Sequence, residues 1–138
     1  MPVAKLLIDT GPLVALLNRD EKLHQDCVDF LKGFRGQLLS TEAILTEALY
    51  LLGDAWEFQK KCFEFVLAAV QLVPVSVNSL KQTMSLMEKY DDVPMDYADA
   101  TLVVLAQELD VHEIFTLDRR GFSTYRMSRN RGFTIYPN

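Results

Sequence analysis

Short apolar segments alternate with longer segments of helical periodicity along the chain, and this alternation restricts the fold more than any other feature of the sequence. Apolar segments of strand length occupy residues 4–8, 37–39, 72–75, 114–117 and 133–136. Helices are predicted for residues 12–18, 23–31, 41–52, 55–70, 78–89 and 96–109. Strands that are separated by helices pair in parallel through right-handed crossovers. The sequence therefore predicts a three-layer α/β/α fold with a central, twisted parallel sheet of about five strands.

The composition is that of an ordinary globular domain. Of 138 residues, 49% are hydrophobic and 24% are charged, so we expect one domain over residues 1–138. The longest apolar run, residues 65–75, is interrupted by Gln71 and Pro74 and is shorter than the ~18 residues that a membrane span needs. The N-terminal apolar stretch is too short for a signal peptide. We therefore expect a cytoplasmic protein with no membrane segment.

The charge is distributed unevenly along the chain. The net charge is −5, which argues against a protein that coats nucleic acid nonspecifically. All 19 acidic residues precede residue 119. The remaining segment carries five arginines: Arg119, Arg120, Arg126, Arg129 and Arg131. Such a basic tail is either a solvated surface or an edge that contacts phosphates.

Asp9 begins an Asp-Thr-Gly sequence directly after an apolar strand, as in aspartic proteases. Those proteases are all-β proteins that combine two copies of the motif, whereas this chain has one copy in a mostly helical context. A phosphoaspartate hydrolase would need a second aspartate where this chain has Gly11. In an α/β fold, however, Asp9 lies at the carboxyl end of a parallel strand, which is where sites form.

Four further acids stand in protected or strand-end positions. Glu47 lies in the middle of a largely apolar helix, where it either faces solvent through a narrow polar strip or lines a pocket. Asp96 and Asp99 begin a helix three residues apart, which suits an N-cap pair and also places both carboxylates on one face. Asp118 follows an apolar strand, as Asp9 does.

Carboxylates gathered at one edge of a sheet repel one another and stay ionised in a water-poor site only if a cation lies among them. Oxygen ligands select Mg²⁺ or Mn²⁺. The two histidines and two cysteines are too scattered along the chain to suggest a zinc site. Mg²⁺ and Mn²⁺ ions activate water and neutralise the charge that develops at a phosphorus during displacement.

Four segments in this order resemble the PIN domain family, and in particular the VapC-like ribonuclease toxins of toxin–antitoxin systems. They are LLIDTGPLVALLN, LSTEAILTEALYLL, MDYADATLVVLAQELDV and IFTLDRRGF, and they cover nearly the whole chain. The resemblance implies a metal-dependent endoribonuclease, the toxin of a type II system, with Mg²⁺ or Mn²⁺ as cofactor. It places the catalytic site at Asp9, Glu47, Asp99 and Asp118, with Asp9, Asp99 and Asp118 holding the metal.

The resemblance also implies supporting residues and partners. Thr10 and Thr116 would act as hydroxyl partners of the site, and Asp96 as an accessory acid. Many relatives carry an acid where this chain has Gly121. RNA is the implied substrate, with the tail arginines as candidate phosphate contacts. An antitoxin protein is the implied partner, and we expect a homodimer.

Apolar side chains in the helix predicted for residues 55–70 have two interpretations. Trp56, Phe63 and Phe65 are expected first in the core, with a dimer interface on that helix as the alternative. Two other functions also remain open at this stage. One is a noncatalytic RNA- or protein-binding module with the same fold, and the other is a metal-dependent phosphatase.

Overall fold

A parallel sheet forms the centre of the structure, a computed structural model that describes residues 4–138. Its five strands are β1 (Lys5–Ile8), β2 (Gln37–Ser40), β3 (Val70–Leu72), β4 (Glu113–Phe115) and β5 (Thr134–Tyr136). The strand order is β3-β2-β1-β4-β5, and every neighbouring pair is parallel. The fold class and strand number predicted from the sequence are confirmed.

Helices connect the strands. In the described part of the chain they are α1 (Thr10–Leu17), α2 (His24–Gly33), α3 (Glu42–Leu51), α4 (Trp56–Ala69), α5 (Val77–Lys89), α6 (Tyr97–Leu109) and α7 (Arg119–Thr124). A short 3₁₀ turn, Ser128–Asn130, precedes β5. None of these helices is long and apolar enough to cross a membrane.

The core surrounds β1, and helices cover both faces of the sheet there. Leu6, Leu7 and Ile8 point to alternate faces, yet all three are at most 2% exposed. Helix α6 is also buried along most of its length, including every residue from 100 to 106. Burial on both faces explains why β1 is a continuous hydrophobic run in the sequence.

The strand order has its topological switch point between β1 and β4, because the chain adds strands first on one side of β1 and then on the other. Strands β2 and β3 extend the sheet on one side of β1, and β4 and β5 extend it on the other. Ile8, the last residue of β1, is in register with Phe115, the last residue of β4. The segments that follow these two strands therefore emerge side by side, at the point where α/β sheets form a crevice.

Two element boundaries differ from the sequence prediction. Strand β3 is Val70–Leu72 rather than 72–75, because the apolar run conceals where α4 ends and the strand begins. Pro74 lacks an N–H for continued pairing, and the last ladder bond runs from the Val73 N–H to the Ser40 carbonyl at 2.9 Å. Helix α1 begins at Thr10 rather than at residue 12, because Asp9 caps it. Helix α7 was not predicted.

The expectation that Trp56 and Phe63 are core residues is wrong. Their exposed fractions are 61% and 38%, whereas Phe65 is half-buried and packs against the core. The two exposed rings lie on the outer side of α4, with centroids 6.5 Å apart. The alternative for this helix, a dimer interface, stays a prediction.

Candidate functional site

Asp9 stands at the end of β1 and is the N-cap of α1. One carboxylate oxygen accepts a hydrogen bond from the Thr10 N–H at 2.8 Å, as a helix cap does. The other accepts one from the Thr116 hydroxyl at 2.6 Å. Only 5% of Asp9 is exposed. The sequence thus delivers a buried carboxylate to the crevice, held by two donors.

Thr116 joins the segments that follow β1 and β4. Its hydroxyl oxygen accepts a hydrogen bond from the Asp118 N–H at 3.0 Å while its proton is donated to Asp9. Asp118 then caps α7, because its Oδ1 accepts from the Gly121 N–H at 3.0 Å. Thr116 therefore sets the relative position of two of the predicted acids.

Gly121 leaves room for the Asp118 carboxylate. A Cβ at position 121 would lie 2.4 Å from Oδ2 of Asp118, closer than real contacts allow. The departure from the pattern expected at this position is thus linked to the orientation of Asp118. No sequence pattern indicated this contact.

Asp96 and Asp99 form a capping box at the start of α6. The Asp99 N–H donates to Asp96 Oδ1 at 2.8 Å, and the Asp96 N–H donates to Asp99 Oδ2 at 3.3 Å. The hydroxyl of the buried Tyr125 also lies 3.3 Å from Asp99 Oδ2. Both sequence interpretations of this pair hold together, since the capping geometry itself directs the two carboxylates to one side. Tyr125 was missed because it lies among the tail arginines without a pattern of its own.

Glu47 comes from the middle of α3 and lines a cavity of about 340 Å³ together with the other acids. The side chain of Glu47 is half-buried and lines this pocket, while Thr46 and Tyr50 beside it on α3 are exposed, so features of both sequence alternatives are present. The cavity is open to solvent, and its lining consists of Asp9, Thr10, Gly11, Glu47, Leu51, Asp96, Asp99, Leu117 and Asp118. No lysine, arginine or histidine of the described residues belongs to this lining.

Burial and mutual repulsion shift the protonation of these acids. Burial raises the pKa of Asp9 to about 6 against the opposing effect of its two hydrogen bonds. Burial also raises the pKa of Asp99 to about 8, with the charges of Asp9 and Asp96 adding to the shift. The pKa of Glu47 is raised by burial and by the neighbouring Asp96. In the metal-free protein Asp99 therefore holds its proton at neutral pH, because no cationic side chain among residues 4–138 lines the cavity to favour the charged form.

The chemistry of the cavity suits a hard divalent cation. The polar side-chain atoms that line it are oxygens, and the buried Thr10 hydroxyl meets no hydrogen-bond partner among residues 4–138. Among residues 4–138, no three acidic, histidine or cysteine side chains converge closely enough for direct ligation of one ion. Water would therefore complete the coordination of an ion, as is usual for Mg²⁺.

The tail arginines are not drawn into the cavity. Arg131 pairs with Asp110, which ends α6 at the side opposite Asp99, about 16 Å away along the helix. Arg119 donates to the Pro137 carbonyl. Arg126 donates to the backbone carbonyls of Ser123 and Tyr125, and Arg120 and Arg129 are exposed.

The fold and the carboxylate cavity define an α/β protein with an acidic site at the switch point of its sheet. The sequence profile of the PIN domain matches residues 6–126. The chain belongs to the PIN domain family, and the resemblance inferred from its four sequence segments is confirmed.

Among curated proteins, the chain is similar to the ribonuclease VapC26 of Mycobacterium tuberculosis. The two are 27% identical over 135 residues, which cover 96% of this chain and 100% of VapC26.

Solved structures show the same fold. VapC20 of Mycobacterium tuberculosis, a toxin that cleaves the sarcin–ricin loop, matches with a TM-score of 0.77 at 15% identity, over 83% of this chain and 90% of that one. A chain of VapBC2 from Rickettsia felis, bound to a promoter DNA fragment, matches with a TM-score of 0.68 at 12% identity, over 97% and 100%. A toxin–antitoxin complex from Klebsiella pneumoniae matches with 0.65 at 18% identity, over 86% and 91%.

Proposed function

We propose that this protein is a Mg²⁺- or Mn²⁺-dependent endoribonuclease and the toxin of a type II toxin–antitoxin system that acts in the cytoplasm. The observation that carries the proposal is the cavity that receives carboxylates from the ends of β1 and β4 and from α3 and α6. The similarity to VapC ribonucleases supports it.

Asp9, Asp99 and Asp118 are the residues that would hold the cation. A divalent cation there would supply positive charge against the scissile phosphate and make water more acidic. The raised pKa values of Asp9 and Asp99 fit this role, because a cation would favour the ionised forms of both groups and would displace the proton that Asp99 holds at neutral pH.

The other residues of the cavity act on water and on the position of the acids. Glu47 would orient the attacking water and accept its proton, and its raised pKa increases its proton affinity. Thr116 fixes Asp9 relative to Asp118, and Asp96 fixes Asp99 through the capping box. The buried Thr10 hydroxyl lines the cavity with Glu47 and would hydrogen-bond to bound water.

An antitoxin would dock on the outer side of α4 and cover the cavity. Leu51, Trp56, Phe63 and Leu67 are exposed by 57%, 61%, 38% and 85%. Leu51, the last residue of α3, also lines the carboxylate cavity, so a partner that extends from α4 to Leu51 would reach the site. A partner that buries these side chains could therefore extend a basic residue to the acids and neutralise them.

A second apolar stripe suits a homodimer. Val77, Leu80 and Met84 recur at helical spacing on α5 and are exposed by 75%, 49% and 69%. This stripe belongs to a different helix from the proposed antitoxin face, so the two proteins could bind at the same time. Sedimentation of the Leu80→Asp variant should show monomers where wild type shows dimers, and dimers of both proteins would contradict this assignment.

The phosphates of RNA would be held by the exposed arginines of the tail, Arg120 and Arg129 before Arg131, because Arg131 is paired with Asp110. Replacing Arg120 with alanine should weaken RNA binding and reduce its salt dependence more than the Arg131→Ala change does. Equal effects would remove the distinction.

The central experiment on the proposed function compares two substrates at the same Mg²⁺ concentration. One is a single-stranded RNA oligonucleotide labelled at both ends, and the other is p-nitrophenyl phosphate. Internal cleavage of RNA without release of p-nitrophenol is expected. Release of p-nitrophenol while the RNA stays intact would identify a phosphatase. No reaction with either substrate, whether or not the protein binds Mg²⁺, would favour a noncatalytic module.

A further inference from the structure

An open groove of about 490 Å³ adjoins the carboxylate cavity between α3 and the start of α6. Glu47 and Asp96 line both the groove and the cavity, so the two form one continuous surface. The lining of the groove is Ala43, Thr46, Glu47, Tyr50, Asp96, Tyr97 and Ala98. The proposed function gives the groove no role.

Two aromatic rings on different helices flank this groove. Tyr50 lies one turn after Glu47 on α3 and is 82% exposed. Tyr97 follows Asp96 directly, at the first position of α6, and is 40% exposed. Two further lining residues, Ala43 and Ala98, have small side chains that leave room for a flat ring.

The charge of the groove restricts what can occupy it. Its ionisable side chains other than the tyrosines are the carboxylates Glu47 and Asp96, and Glu42 lines the adjoining cleft on the far side of Tyr97. A phosphate or an acidic peptide would be repelled there, whereas a neutral, planar, hydrogen-bond-donating group would not. An unpaired nucleobase has these properties, and its π-face stacks on aromatic side chains.

We propose that Tyr50 and Tyr97 form a stacking site for one unpaired base of the nucleotide next to the phosphate at the carboxylates. The proposal rests on the endoribonuclease function and assigns two residues that bind the nucleotide next to the cut. Tyr50 and Tyr97 act in this scheme as substrate-binding residues, because a base held beside Glu47 and Asp96 fixes the adjoining phosphate over the cavity.

The test begins by mapping the bond that wild type cleaves in a single-stranded RNA oligonucleotide. Oligonucleotides that carry an abasic ribose on either side of that bond are then compared with the intact one. Wild type, Tyr50→Ala, Tyr97→Ala and both Tyr→Phe variants are assayed for KM and kcat. Phe58→Ala is the matched control, since Phe58 is an exposed aromatic residue outside the groove.

Each alanine change should raise KM for the intact oligonucleotide by about 5- to 150-fold, in line with the loss of one base–aromatic contact. The phenylalanine variants and Phe58→Ala should stay within about twofold of wild type. One abasic oligonucleotide should show the same high KM with wild type and with the alanine variants, because the base that would stack is absent.

Three results would overturn the proposal. The first is an unchanged KM for the intact oligonucleotide in both alanine variants. The second is an equal rise in KM, relative to wild type, when the alanine variants act on the intact and on both abasic oligonucleotides. The third is a change of sedimentation mass in the alanine variants together with the loss of activity, which would make the groove an interface between protein chains. If wild type fails to cleave any RNA, the proposed function fails first, and the two failures are thereby distinguished.

Discussion

Replacing Asp9 with asparagine should stabilise the metal-free protein at neutral pH while it abolishes cleavage. Burial raises the pKa of Asp9 from 3.8 to about 6. A raised carboxylate pKa means that the folded protein binds the proton more tightly than the unfolded chain. The free energy of unfolding therefore falls as the pH rises from near 4 to above 6, and it stays reduced at higher pH.

The magnitude follows from the size of the shift. About 1.36 kcal/mol per pKa unit makes the full loss ~3 kcal/mol above pH 6. Asparagine keeps the carbonyl oxygen that accepts from the Thr10 N–H, and its amide can donate to the Thr116 hydroxyl in place of the present bond. The Asp9→Asn variant should then match wild type near pH 4 and exceed its unfolding free energy by ~3 kcal/mol at pH 7.

Urea denaturation in EDTA from pH 4 to pH 8, followed by circular dichroism, measures this difference. Asp92→Asn is the control, because Asp92 is an exposed aspartate in a turn away from the cavity. Its unfolding free energy should follow that of wild type at every pH. An Asp9→Asn variant that is less stable than wild type at pH 7, or that runs parallel to it across the range, would refute the reasoning.

Three other predictions concern the site and its dependence on metal. Asp99→Asn should reduce RNA cleavage to background, whereas Asp96→Asn should retain activity within about tenfold of wild type, because asparagine caps a helix nearly as well as aspartate. Initial rates of cleavage measure both effects. An inactive Asp96→Asn variant beside an active Asp99→Asn variant would exchange the two roles. Gly121→Ala should lower kcat by about 100-fold, because the new Cβ displaces the Asp118 carboxylate. Its circular dichroism spectrum should match that of wild type. Full activity would show that the position of Asp118 is unimportant. Millimolar Mg²⁺ should raise the melting temperature of wild type more than that of Asp99→Asn, since an ion that binds the folded state alone stabilises it by mass action, and equal shifts would contradict ligation by Asp99.

Much of the architecture was predictable because periodicity and burial agree along most of the chain. The run from Leu6 to Ile8 predicts a buried parallel strand, and the parallel topology then places Asp9 and Asp118 at the same edge. The spacing of Asp96 and Asp99 indicates both the capping box and the shared direction of their carboxylates.

Features that depend on distant segments were not predictable. The position of Tyr125 against Asp99 links residues 26 apart in the chain and leaves no local pattern. The exposure of Trp56 could not be inferred, because an apolar helix face looks the same whether it packs on the core or on another protein. The start of β3 at Val70 was obscured because helix and strand share one apolar run.

The dependence of RNA cleavage on a divalent cation tests the central claim most directly. Internal cleavage of a single-stranded RNA by purified wild type is measured in EDTA and after Mg²⁺ or Mn²⁺ is restored in excess, with the Asp99→Asn variant purified in parallel to reveal contaminating nuclease. The account predicts no cleavage in EDTA, recovery with either ion and no cleavage by the variant. Full cleavage by wild type in EDTA, or equal cleavage by wild type and the variant with Mg²⁺, would contradict a carboxylate metal site as the source of the activity.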